Sequence, residues 1–149
     1  KALLNGEMTV FYQPQARTDT REICGYEALV RWNHPLRGAV SPMEFIPVAE
    51  RIGFINTLGE WVLRAACFEA VKWNRPLKIA VNLSPVQFRS AGLIESVTQV
   101  LEQTGLAADR LELEITESVL LDKNEQTLNT LRQLKALGIQ IAMDDFGTG

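Results

Sequence analysis

Between residues 111 and 116 the sequence alternates strictly between aliphatic and polar side chains. Leu111, Leu113 and Ile115 lie on one face of an extended chain, with Glu112, Glu114 and Thr116 on the other. Packing explains the aliphatic face. The opposite face constrains the fold more, because a strand flanked on both sides rarely carries carboxylates unless something cationic meets them. Two further segments repeat the pattern. Residues 77–83 set Ile79, Val81 and Leu83 against Lys78, Ala80 and Asn82, and residues 139–145 set Ile139, Ile141 and Met143 against Gln140, Ala142 and Asp144. Each predicted strand has an oxygen donor near its C-terminal end on the non-aliphatic side. A parallel barrel with a metal site at one mouth requires that pattern.

Helical segments fill the intervals. Residues 92–104 carry a stripe of Leu93, Ile94, Val97, Val100 and Leu101, closed by Gly105. Residues 123–137 carry Leu128, Leu131 and Leu134, with Asp122 and Glu125 as a capping box and Gly138 as the stop. Strands alternating with helices imply parallel βαβ units, hence the α/β class. Upstream, residues 9–15 and 23–32 read as strands, Pro14 placing the end of the first at an edge or terminus. A loop begins at Asn33-His34-Pro35 and runs to Val40. Ser41-Pro42-Met43-Glu44 has the cap, the first-position proline and the capping-box glutamate of a helix that reaches about Arg51 and stops at Gly53. Asn56 can cap a longer helix with Leu58, Trp61, Val62, Ala65, Ala66 and Trp73 on its inner side, in a region ended by Pro76. No repeat or linker interrupts what reads as one domain. About five strands are present, where a closed barrel has eight in roughly 250 residues. The chain is therefore either an open sheet or part of a barrel, with an edge strand prone to association.

Composition narrows the partners. The chain has 149 residues, 46% apolar and 22% charged, enough for one real core. No run approaches the ~18 apolar residues of a membrane span, and Lys-Ala-Leu-Leu-Asn-Gly-Glu at the N-terminus is too short an apolar run for a signal peptide. Two cysteines far apart, Cys24 and Cys67, fit a reduced cytoplasmic protein. A net charge of −3 supplies no basic field for a long nucleic acid, so an anionic ligand needs local cations.

The candidates for chemistry are Glu27, Glu114, Glu117, Asp144 and Asp145, with Asn82 as a neutral oxygen donor. An all-oxygen set suits Mg2+ or Mn2+ better than zinc. Any one of these carboxylates taken alone reads as a solvated surface group. Glu114, Asn82 and Asp144 taken together, each on the non-aliphatic face of its strand, do not. Glu27 and Arg31 share a strand face, which allows either a lateral ion pair or a ligand glutamate with an arginine beside it for a phosphate oxygen. Gln13 can hydrogen-bond a ligand. His34, the only histidine, reads as a turn residue, because a catalytic histidine needs an orienting partner that these motifs do not supply. Gly147-Thr148-Gly149 lacks the lysine of a phosphate-binding loop, and Trp61 and Trp73 read as core.

In order along the chain stand Phe11-Tyr-Gln-Pro14, Tyr26-Glu-Ala-Leu-Val-Arg-Trp32, Phe45-Ile-Pro-Val-Ala-Glu50, Asn82-Leu-Ser84, Glu114-Ile-Thr-Glu117 and Asp144-Asp-Phe-Gly-Thr-Gly149. With these motifs the chain resembles the EAL domain, the bacterial cyclic di-GMP phosphodiesterase domain, whose name-giving triplet is Glu27-Ala28-Leu29 in this sequence. The resemblance implies a TIM-barrel-type (β/α) fold whose first strand runs antiparallel to the rest. It implies two divalent ions, Mg2+ or Mn2+, and hydrolysis of cyclic di-GMP to linear pGpG. It implies that Glu27, Asn82, Glu114 and Asp144 ligate the first metal, that Asp144 bridges to the second, and that Asp145 binds the second. Gln13 and Arg31 would touch substrate. Glu117 would serve catalysis by holding the loop after Asp145 through hydrogen bonds.

The family places a catalytic lysine, a further metal-binding glutamate and a substrate glutamine beyond the last residue of this chain. The expectation is therefore a domain truncated on its C-terminal side, with little or no hydrolytic activity alone, and paired as a homodimer or by segment exchange. Two other readings stay open: a module that binds cyclic di-GMP or a protein without cleavage, and a different metal-dependent barrel enzyme that stabilises an enolate. The absence of a visible general-base lysine or histidine argues against the last.

Overall fold

The computed structural model describes residues 6–16, 19, 22–90, 92–121 and 125–143. The alternating segments form one mixed sheet with the path β1 (Met8–Ala16), β2 (Ile23–His34), β4 (Lys78–Asn82), β5 (Leu111–Ile115) and β6 (Gln140–Met143). A short β3 (Gly38–Val40) pairs with β2 off that path. β1 is antiparallel to β2, and β2, β4, β5 and β6 run parallel. Parallel neighbours need crossovers, and helices supply them. α1 (Pro42–Ile52) and α2 (Phe54–Val71) precede β4, α3 (Pro85–Phe88) and α4 (Leu93–Thr104) precede β5, and α5 (Glu117–Leu121) and α6 (Glu125–Ala136) precede β6.

The aliphatic strand faces turn toward the helices. Ile79, Val81, Leu111, Leu113 and Ile115 are buried in one cluster with Leu58, Val62, Ala66, Val97, Val100 and Leu134. Full burial of each such side chain stabilises by ~1.5–3 kcal/mol, so a one-residue slip in register would be prohibitive. The opposite sheet face is thereby fixed as the one bearing Glu27, Asn82 and Glu114. Trp73 packs against the same cluster and meets Tyr26 ring to ring at 5.0 Å; Trp61 also packs against it. Both tryptophans are core residues, as expected.

Ser41 caps α1 by accepting from the Met43 amide, and Gly53 ends the helix in the left-handed region at φ 80°. Glu44 does not complete the predicted capping box; its carboxylate pairs with Arg37 across the turn. Gly53 also begins α2, so Asn56 falls inside the first turn and accepts from Ser90 instead of capping. The predicted loop from Asn33 is in fact a hairpin. β2 runs on to His34, whose Nδ1 accepts from the Leu36 and Arg37 amides at 3.1 and 3.2 Å, and β3 returns beside it. His34 is thus a turn residue, as its sequence context implied. On α6 the inward stripe is Thr127 and Leu134, both buried, with Leu131 half-buried between them, while Leu128 is exposed. The predicted Asp122 cap lies outside the described residues. Cys24 is exposed and Cys67 buried, and both are free thiols. No helix among the described residues is long and apolar enough to cross a membrane.

Candidate metal and ligand site

Strand register assembles the site. Glu27 pairs with Ala80 across β2 and β4, and Asn82, two residues further on, shares that face. Nδ2 of Asn82 donates to Oε2 of Glu27 at 2.9 Å, across 55 residues of sequence. Asn82 in turn pairs with Glu114 of β5, and Oε1 of Glu114 is buried. Three of the expected oxygen donors, from three strands, therefore meet on one sheet face. Asp144 and Asp145 lie outside the described residues. Ala142, two positions before Asp144, pairs with Glu114 on β6. Glu117 opens α5 directly after β5.

The ligand-contact candidates sit beside this row. Gln13 on β1 is the antiparallel partner of Glu27. Arg31 is exposed and does not pair with Glu27; its guanidinium carbon lies 4.6 Å from the centre of the Phe11 ring. Phe11 is 52% exposed, an uncommon condition for an aromatic side chain in a strand. It pairs with Leu29, two residues after Glu27, and so lies on the sheet face that holds Glu27, Asn82 and Glu114. A hollow of about 570 Å³ is lined by Phe11, Leu29, Arg31, Trp32 and Asn33 among others, within the size range of small-molecule sites. The sequence placed Phe11 in the first motif but assigned it no role. The available signal was its position two residues before Gln13, on the same strand face.

Burial pushes the Cys67 thiol up to about 12, and burial, followed by Glu69 and Cys67, pushes the Tyr12 phenol up to about 12. Both belong to the packed side of the sheet, where Tyr12 donates to the Ala65 carbonyl at 3.4 Å. Neither is a nucleophile for the site face.

The donor chemistry fits a hard divalent cation. It consists of two carboxylates and an amide, all able to ligate through oxygen, the ligand type that Mg2+ and Mn2+ prefer. Among the described residues no three His, Cys, Asp or Glu side chains cluster. The described part of the set is the Glu27–Asn82–Glu114 trio, two carboxylates and one amide.

A family model described as "EAL domain" matches residues 1–149. An uncharacterized signaling protein of Caulobacter vibrioides is 56% identical over 149 residues, 100% of this chain and 18% of that protein. The bifunctional diguanylate cyclase/cyclic di-GMP phosphodiesterase MucR of Pseudomonas aeruginosa is 41% identical over 153 residues, 100% of this chain and 22% of that protein. The chain thus spans about a fifth of the length of these relatives. In a solved c-di-GMP complex of PaMucR phosphodiesterase the fold matches with a TM-score of 0.94 at 41% identity, over 99% of this chain and 62% of that one. The sheet is accordingly part of a TIM-barrel-type α/β fold with an antiparallel first strand, as the motifs implied. A match that runs the full length of the sequence, joined to this shared fold, means that the chain belongs to the EAL domain family.

Proposed function

We propose that this chain contributes the metal-binding face of a phosphodiesterase that hydrolyses cyclic di-GMP to linear pGpG. The observation that carries the reading is the Asn82–Glu27 hydrogen bond with Glu114 in register beside it. It is supported by relatives named cyclic di-GMP phosphodiesterases, MucR and NbdA of Pseudomonas aeruginosa, and by the c-di-GMP complex of the matching structure.

Hydrolysis adds one water across one phosphodiester of the ring. A bond from phosphorus to the water oxygen forms, the bond from phosphorus to the ribose 3′ oxygen breaks, and that oxygen takes up a proton. Glu27, Asn82, Glu114 and Asp144 would hold a first Mg2+ or Mn2+, and Asp144 with Asp145 a second. When bound, such ions lower the pKa of water and offset the charge that develops on the phosphate. Arg31 presents a planar, permanently charged set of donors for a phosphate oxygen or a base edge. Its stacking on Phe11 restricts where those donors point. Gln13 offers an amide on the other side of Glu27. Glu117, at the start of α5, would hold the segment after Asp145 through hydrogen bonds, as the family resemblance implies.

The test is turnover in the intact protein that carries these residues, followed by chromatography of the nucleotide. The expected result is Mn2+-dependent appearance of pGpG, reduced by at least ~100-fold in Asn82→Ala and Glu114→Gln variants, the scale of losing an interaction made in the transition state. Tight binding of cyclic di-GMP with no product in the presence of Mn2+ would favour the non-catalytic binding module instead.

A further inference from the structure

A cavity of about 500 Å³ lies between α1, α2, the middle of β2 and the C-terminal end of β4. Its lining is mostly apolar, including Ile46, Pro47, Ile55, Leu58 and Val62, and it reaches Asn82. Glu50 of α1 is the sole carboxylate among the described lining residues. It is half-buried and accepts a hydrogen bond from the Ser84 hydroxyl, 34 residues away in sequence. Ser84 is itself a junction. Its amide donates to Oε1 of Gln87 at 3.0 Å, and its Oγ accepts from the Val86 amide at 3.1 Å, the reciprocal cap of α3. One residue earlier, the Leu83 amide donates to the Glu114 carbonyl at 2.8 Å. The three residues 82–84 are thus tied to β5 on one side and to α1 on the other.

Stability alone does not explain a glutamate at this position. A carboxylate beside apolar walls loses hydration, and one hydroxyl partner returns a net ~1.5–3 kcal/mol at best. Such a partly buried polar pair adds little net stability, so replacing it by an apolar pair of matching size should cost little. The pair does, however, fix the direction of the segment that carries Asn82. We propose that Glu50 is a positioning residue: through Ser84 it orients Asn82, and thereby sets the cation affinity of the Glu27–Asn82–Glu114 face. This rests on the metal reading above. Removing a partner that orients a metal ligand weakens affinity by ~10–100-fold.

The experiment compares Glu50→Ala, Glu50→Gln, which keeps an acceptor oxygen, and the double change Glu50→Met with Ser84→Ala. Three quantities are read on the whole chain: thermal midpoint, the NMR signals of the Asn82 side-chain amide without metal, and the Mn2+ dissociation constant by calorimetry. The expected results are displaced Asn82 signals and about tenfold weaker Mn2+ binding in Glu50→Ala, with both restored in Glu50→Gln. The apolar double variant should unfold close to the wild-type midpoint and still bind Mn2+ weakly. Asn82 signals unmoved by Glu50→Ala, or Mn2+ affinity that returns with stability in the apolar double variant, would overturn the proposal. A wild-type chain that takes up no Mn2+ overturns the underlying metal reading. That failure is separable, because the metal-free Asn82 signals report on Glu50 independently.

Discussion

At the scale of single residues, the site is a matter of a few side chains held on the polar face of an otherwise aliphatic sheet. Asn82 and Glu114 were legible from alternation, because period-two patterning states which face a residue occupies, whereas Glu27 gained its ligand role from the Glu27-Ala28-Leu29 motif. Phe11 and Glu50 stood in the motifs without a role. Their significance depends on a neighbour distant in sequence, Arg31 for one and Ser84 for the other. Truncating Phe11 removes the surface that holds the Arg31 guanidinium, an interaction of ~0.5–1 kcal/mol at an exposed position. Phe11→Ala should therefore weaken binding of cyclic di-GMP by roughly two- to fivefold by that measure, with Phe11→Tyr close to wild type. Titration calorimetry with Ca2+ in place of Mn2+, to hold back turnover, gives the comparison. Equal affinity in Phe11→Ala and wild type would remove Phe11 from the ligand site.

At the scale of elements, the central event is the pairing of β2 with β4, which brings Glu27 and Asn82 together. Gly25 opposite Lys78 makes that pairing possible. A Cβ at position 25 would sit 2.5 Å from the Lys78 carbonyl oxygen, a backbone atom of the neighbouring strand that cannot rotate away. Gly25→Ala should therefore force β2 and β4 apart at the cost of about 1–3 kcal/mol, typical of overpacking. It should also disturb the Asn82–Glu27 hydrogen bond. Denaturant unfolding measures the first effect and the Asn82 side-chain NMR signals the second. Full stability together with unmoved Asn82 signals would contradict the register that sets Gly25 against Lys78. The long elements were foreseeable from periodicity: β4, β5 and α4 fall within a residue or two of their expected limits. The short ones were not. β3, α3 and α5 have three, four and five residues, too few to show either period, and each depends on tertiary partners. The shift of the α6 stripe from Leu128 to Thr127 has a similar origin. Positions 127, 131 and 134 keep helical spacing, and the sheet selects that face even though one member is polar.

At the scale of the whole molecule, one buried cluster supports the polar face, and that cluster contains a thiol with a phenol packed beside it. In the folded state Cys67 and Tyr12 hold their protons up to about 12, above the values of 9.0 and 10.0 that they take when unperturbed. From pH 9 upward the unfolded chain releases protons that the folded chain retains, so the slope of stability with pH is negative there. Stability should be unaffected by these groups below pH 9 and should fall between pH 9 and 12. Cys67→Ala should flatten the lower part of that decline in urea titrations, whatever it does to stability at neutral pH. Whether Glu27, Asn82 and Glu114 surround one divalent cation is decided by adding substoichiometric Mn2+ to isotope-labelled protein and recording which NMR signals broaden. Signals of Asn82, Glu27, Glu114 and their strand neighbours should disappear first, ahead of exposed acidic residues such as Glu95 and Glu102. Broadening that begins at those surface carboxylates, with the Asn82 side-chain amide still sharp, would contradict a shared cation at this face.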